Sequence, residues 1–280
     1  MRRSAEPSGR GSVSLRSLVR VRPRLAGRRA RRSAAEGFFD DQAERWPDLY
    51  VEDPRFRRRY QLVTALIGAE LTGTEPGFAL DAGCAGGVFS AYLAELGWTV
   101  EAVDSSARML DRAYAYLEDR LGTNQHAVSL WKLGIEDVPF PADSFDAVLC
   151  LSTLEYVEDD VGALRLLVRL LKVGGLLIIT VPNRRSVVRL VERALRRIRV
   201  ALGRAGPPEA AYLGFQRHQY TPAQVDTLLG ELGLSKRRKH FWSVGFSGPA
   251  WLVPRFEHAW WAGMYGAVYV KTAGPLNGSM

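Results

Sequence analysis

The sequence is poor in the residues that build covalent or metal frameworks. Its 280 residues hold two cysteines, Cys84 and Cys150, and no CxxC pair. That excludes a disulfide scaffold, gives no zinc-site spacing, and fits a reducing compartment. Long hydrophobic runs are also missing. The longest, from Val173 to Val181, contains two glycines and falls well short of the ~20 residues of a membrane span. No apolar segment of the secretory-signal kind is visible. Histidine is scarce: His126, His218, His240 and His258 are the whole set.

What is present is the composition of a globular protein, 47% hydrophobic and 24% charged residues. The net charge of +8 is unevenly placed. Residues 1–35 carry eleven arginines and one acid, Glu6, leaving 27 basic against 29 acidic residues in the rest. With its serines, glycines and prolines, this head reads as a basic disordered leader, 1–35. Its composition also suits an organelle transit peptide, the alternative to a cytoplasmic location. Nucleic-acid binding is disfavoured, because no aromatic residue interleaves the arginines and no recognition motif accompanies them.

Beyond the leader, 36–76 reads as an N-terminal helical cap, with Phe38, Phe39, Ala43, Trp46 and Tyr50 as an aromatic stripe interrupted at Pro47 and Pro54. From residue 77 strand and helix signals alternate. Strands are expected at Phe78–Leu80, Thr99–Val103, Ala127–Trp131, Ala147–Leu151 and Leu176–Val181, with late candidates near Lys236–Trp242 and Ala267–Lys271. Helices are expected over Val88–Leu96, Ala107–Leu121, about Asp159–Leu171 and Pro222–Leu232, with a helical insertion at about 184–216. The alternation predicts an α/β fold, a Rossmann-like sheet sandwiched by helices in one domain over 77–280. In such sheets ligands bind beyond the carboxyl ends of the strands.

The turn after the first strand reads Asp81-Ala82-Gly83-Cys84-Ala85-Gly86-Gly87. A dinucleotide fingerprint requires a third glycine where Val88 stands, so that reading fails. The segment instead resembles the first motif of class I S-adenosylmethionine (SAM) dependent methyltransferases, with Asp81, Gly83 and Gly87 matching and Ala85 replacing the middle glycine. Asp104 ends the second strand, followed by Ser105, Ser106 and Met109, and is similar to the family's ribose-binding position; an acid there accepts hydrogen bonds from both hydroxyls. It also suits a helix cap. Gly134 to Pro141, followed by Asp143 to Asp146, resembles the adenine loop, although Gly134 stands where an acid is common, so that contact falls to Glu136, Asp137 or backbone. Ser152 to Val157 resembles the segment that often reads L-E-H, with Tyr156 replacing His, and Leu170 to Gly175 with Val181-Pro182-Asn183 resembles the fifth-strand region.

The resemblance covers 77–183 and implies a seven-stranded, mostly parallel sheet whose last strand is antiparallel. It implies SAM as cofactor, held by Asp81, Gly83, Cys84, Ala85, Gly87, Asp104, Ser105, Met109, Ile135, Glu136 and Leu151, with no metal required. The expected reaction is methyl transfer to a small molecule, an oxygen of a lipophilic or aromatic compound. The alternative is a SAM-binding regulator or scaffold without turnover. His218, just before the helix-starting pair Thr221-Pro222, is the first candidate for a base, with Tyr156 and Glu155 as alternatives. In the insertion, Val187, Leu190, Val191, Ala194, Leu195, Ile198 and Leu202 recur at helical spacing beside Arg189, Arg193, Arg196, Arg197, Arg199 and Arg204. Such a basic amphipathic helix fits either peripheral membrane contact through 184–204 or packing on the protein. The layout is similar to that of ubiquinone-biosynthesis O-methyltransferases. An aromatic C-terminal third, including Phe241, Trp242, Phe246, Trp251, Phe256, Trp260, Trp261 and Tyr265, suggests an apolar acceptor or a covered sheet edge.

Overall fold

The computed structural model describes residues 34–203, 215–242 and 260–273. Most of the leader, His258, Phe246, Trp251 and Phe256 lie outside the described residues, as does 204–214 of the insertion.

Three helices come first: α1 (Ala34–Gln42), α2 (Trp46–Glu52) and α3 (Pro54–Leu71), with a 3-10 turn Ala43–Arg45 between the first two. The breaks fall at the expected prolines, because Pro lacks the N–H an interior turn requires and is accepted at a helix start. Asp53 caps α3 by accepting from the Arg55 N–H at 2.8 Å. The sheet is built from β1 (Phe78–Ala82), β2 (Thr99–Asp104), β3 (Val128–Lys132), β4 (Phe145–Leu151), β5 (Leu171–Pro182), β6 (Leu234–Trp242) and β7 (Met264–Lys271). Its order is β3-β2-β1-β4-β5-β7-β6. Strands β1 to β5 pair in parallel, and β7 runs antiparallel between β5 and β6.

Helices α4 (Val88–Glu95), α5 (Ala107–Leu121), α6 (Asp160–Leu170), α7 (Val187–Ala201) and α8 (Pro222–Glu231) complete the described fold. On α5, Met109, Leu110, Ala113 and Leu117 are buried along one stripe, and Ser106 caps the helix by accepting from the Met109 N–H. One sheet face packs under α3, α4 and α5, through residues such as Ile67, Leu93 and Leu117. The other packs under α6 and α8 through Leu164, Leu167 and Leu229. Helix α3 thus shares the core of the sheet that it covers.

Strand β5 begins five residues earlier than the sequence suggests. The sequence places Gly174-Gly175 ahead of the strand, yet Gly174 takes φ +81° within it, and Leu171 pairs with Phe145 across a register shift. The chain order runs outward from β1 to β3 on one side and from β4 to β5 on the other. The connections that follow β1 and β4 therefore diverge and open a cleft at the carboxyl edge.

Candidate active site

A cavity of about 720 Å³ fills that cleft. Its floor is the turn after β1, and its walls are the ends of β2 and β4, the loop 133–137 and helices α1 to α3. Asp81, Gly83, Cys84, Ala85, Asp104, Ser105, Met109, Ile135, Glu136, Leu151 and Tyr156 all line it. Gly87 and His218 do not.

The turn is held from beneath by the second strand. Gly83 and Cys84 donate to the Val103 carbonyl at 2.9 and 3.0 Å, and the Asp104 carboxylate accepts from the N–H groups of Ala85 (2.9 Å) and Ser106 (2.8 Å). Gly83 is obligatory for two reasons: its φ is +87°, and a Cβ there would fall 2.8 Å from the Thr153 Cβ. Its smallness makes room for a neighbouring side chain, whereas the sequence suggests room for a ligand. Gly87, at φ +75°, starts α4 and packs against Ala113, so its role is the turn itself. Ala85 takes φ 46° and Ser152 φ 59°, two strained positions that both line the cavity.

Four acids shape the cleft's electrostatics. Asp81 is buried and accepts from the Ser90 hydroxyl at 2.6 Å; burial raises its pKa to about 6, with the nearby Asp104 adding to the shift. Burial likewise lifts Asp104 to about 6 against its backbone hydrogen bonds. Glu155 is raised by burial to about 7. Glu136 is exposed, and its carboxylate lies 3.0 Å from where a Gly134 Cβ would stand, so it reaches back over the gap that glycine leaves. Burial pushes the Cys84 thiol well up, which keeps it a neutral packing group.

His218 is placed elsewhere. Its Nε2 lies 3.1 Å from the Val157 carbonyl and 3.3 Å from that of Glu158, its Nδ1 is 3.4 Å from Asp160, and it lines a separate polar depression. It braces a loop. Among the other histidines, His126 is exposed ahead of β3, bonded to the Thr123 carbonyl, and His240 lies on β6.

Sequence reasoning placed an aromatic stripe on the N-terminal helices and left open whether it forms a lid or packs, but it missed the arginine that they bring. Arg59 of α3 enters the cavity, donates from Nη2 to the Leu151 carbonyl at 3.1 Å, and keeps a buried Nε with no hydrogen-bond partner. It stands in the run Arg57-Arg58-Arg59, which has no spacing to single it out. Phe38, Phe39 and Trp46 form a lid-like aromatic wall, with Phe39 edge-on to Tyr156 at 5.1 Å. Asp40 ties α1 down through the Ser106 hydroxyl. Arg189 corrects the reading of α7 as cationic on its outer surface, since its side chain is buried and lines the cavity. In the C-terminal part, Trp242 and Tyr265 are fully buried, while Trp260 and Trp261 are exposed.

A seven-stranded sheet in this order, with a glycine turn under a cleft at the ends of β1 and β2, is the fold of class I SAM-dependent methyltransferases. Residues 80–179 match the family model described as a methyltransferase domain. Two curated relatives are named ubiquinone biosynthesis O-methyltransferase. One, from Xanthomonas oryzae pv. oryzae, is 37% identical over 106 residues, 38% of this chain and 43% of that protein. The other, from Alkalilimnicola ehrlichii, is 33% identical over 147 residues, 52% of this chain and 58% of that protein. The chain therefore spans about half the length of these relatives. Among solved structures, magnesium protoporphyrin IX methyltransferase from Synechocystis PCC 6803 aligns with a TM-score of 0.62 at 20% identity, over 85% of this chain and 98% of that one.

Proposed function

We propose that this protein transfers a methyl group from SAM to an oxygen of a small lipophilic or aromatic molecule. The observation that carries the reading is that Asp104 and Arg59 line one cavity together with the turn residues Gly83 to Ala85. An acid at the end of β2 suits ribose hydroxyls, and the buried, unpartnered Nε of Arg59 suits a carboxylate such as that of the methionine moiety. Met109 and Ile135 supply apolar contacts for a base, with Glu136 as the acceptor for an amino group at its edge. When bound, SAM supplies a methyl group activated by a sulfonium. The chain's own part is to align the acceptor and exclude water, which Phe38, Phe39, Trp46 and Tyr156 support by walling the acceptor side. The names of the relatives favour oxygen as the methyl acceptor. Incubating the protein with methyl-labelled SAM and a fractionated lipid-plus-soluble extract is expected to yield one labelled small molecule carrying a new methoxy group. SAM binding with no labelled product from any fraction would favour a regulator instead.

We also propose that α7 rests on an anionic membrane surface. Among the described residues, Leu190, Val191, Ile198 and Leu202 are more than half exposed and form one stripe. Trp260 and Trp261 extend it, with the Trp260 carbonyl accepting from the Val187 N–H at 2.8 Å and that of Trp261 from the Ser186 hydroxyl at 2.6 Å. Apart from the buried Arg189, segment 184–204 holds seven arginines and one acid, which suits anionic headgroups around such a stripe. No helix among the described residues is long and apolar enough to cross a membrane. Flotation with phosphatidylglycerol vesicles is expected to fall about tenfold or more in the Leu190→Asp/Ile198→Asp variant, each lost apolar contact being worth ~1.5–3 kcal/mol. Unchanged flotation would remove the proposal.

A further inference from the structure

The function reading leaves the proton of the acceptor hydroxyl unassigned, and the cleft contains one side chain whose placement has no other explanation. Glu155 sits on the 3-10 turn Leu154–Tyr156 directly after β4 and is 1% exposed, yet it lines the cavity. Its Oε2 is buried without a hydrogen-bond partner. The turn that carries it is fixed from the other side, because the Glu155 carbonyl accepts from the N–H groups of Arg217 (2.8 Å) and His218 (3.3 Å). A buried carboxylate oxygen with nothing to bond costs stability, so its retention calls for a partner that arrives with a ligand.

Resting on the methyltransferase reading above, we infer that Glu155 accepts the proton of the methyl acceptor's hydroxyl. The hydroxyl proton goes to Glu155, the oxygen pair so released forms the new C–O bond, and the pair of the broken C–S bond returns to sulfur. A carboxylate in a dry cleft thereby becomes neutral as the sulfonium charge is lost, so no net charge is left buried.

The groups facing Glu155 are consistent with this role. Burial raises the group most, to about 7, against its own backbone N–H and then Arg59 from α3 and Arg189 from α7, which favour the carboxylate. Cys150 on β4 and Tyr220, whose hydroxyl donates to Asp160 at 2.7 Å, also lie within its field, and both are themselves raised by burial. An acid titrating near neutrality is matched to general-base work on a phenol of pKa about 10. By sequence His218 is the first candidate for this function and Glu155 an alternative, but His218 is tied to backbone carbonyls outside the cleft.

The test uses the full chain with methyl-labelled SAM and 4-octylcatechol. The wild-type kcat/KM is expected to rise with pH and level off above about 7, as Glu155 ionises. Glu155→Gln should lose about 10²- to 10⁴-fold in kcat/KM together with that pH limb. Replacing the probe by 4-nitrocatechol, already ionised at pH 8, should shrink the defect of the variant. SAM affinity measured by calorimetry should stay within about threefold, the change ordinary for a residue that does not touch the cofactor. A large loss of SAM affinity in Glu155→Gln would place the carboxylate on the cofactor and overturn the inference, as would an unchanged pH profile. If the wild type binds SAM but leaves octylcatechol unmethylated, the acceptor class in the function reading fails separately. The ¹³C titration of the Glu155 carboxyl, assigned by difference from Glu155→Gln, then decides: a midpoint near 7 that moves on adding 4-nitrocatechol to the SAH-loaded protein supports the inference, and an unresponsive carboxyl overturns it.

Discussion

Replacing Asp104 by alanine is expected to weaken SAM binding about 10- to 100-fold, the largest loss from any single side chain on the cofactor side of the cleft. Two effects act together. The carboxylate holds the turn in shape, accepting from the Ala85 and Ser106 N–H groups, and it faces the cavity where ribose hydroxyls would bond. Hydrogen bonds to a charged acceptor contribute ~1.5–3 kcal/mol each, so the net loss of one accounts for the range. Calorimetric titration with SAM at pH 8, where Asp104 is ionised, measures the effect free of protonation. An affinity within twofold of wild type would assign Asp104 a structural role alone.

Gly83→Ala is expected to destabilise the whole domain by about 2–4 kcal/mol. The left-handed φ of +87° costs an L-residue on the order of 1 kcal/mol, and the added methyl overlaps Thr153, whose own Cβ would be only 2.8 Å away. Because the obstruction includes that Cβ, rotating the threonine cannot relieve it. In a Thr153→Gly background the steric part should vanish and leave only the conformational cost. Gly73 provides the comparison: its φ is +80° with nothing within 4 Å of an added Cβ, so Gly73→Ala should cost only ~1 kcal/mol. Urea unfolding of the four variants reads both terms, and equal costs at positions 83 and 73 would exclude the Thr153 overlap.

The turn after β1 and the acid that ends β2 were legible in the sequence because they are local. A short apolar strand, a small-residue turn and a helix start occupy consecutive positions, and the acid that ends β2 is placed by the strand period. The rest of the cleft is lined by residues distant in sequence. Arg59 and Trp46 arrive with the N-terminal helices, Arg189 turns inward from a helix whose outer stripe is apolar and exposed, and no spacing links them. The choice between His218 and Glu155 shows the difference most directly. By residue type histidine is the natural proton acceptor near neutrality, and a glutamate is not.

Sequence by itself determined the β-α alternation, the turn Asp81 to Gly87 and the position of Asp104, because backbone geometry follows from neighbours along the chain. Only the tertiary structure decided which ionisable groups are buried together. Burial is a property of the packed whole: it takes Glu155 out of water and ties His218 to backbone carbonyls, so that the residue with the less suitable intrinsic chemistry occupies the cleft.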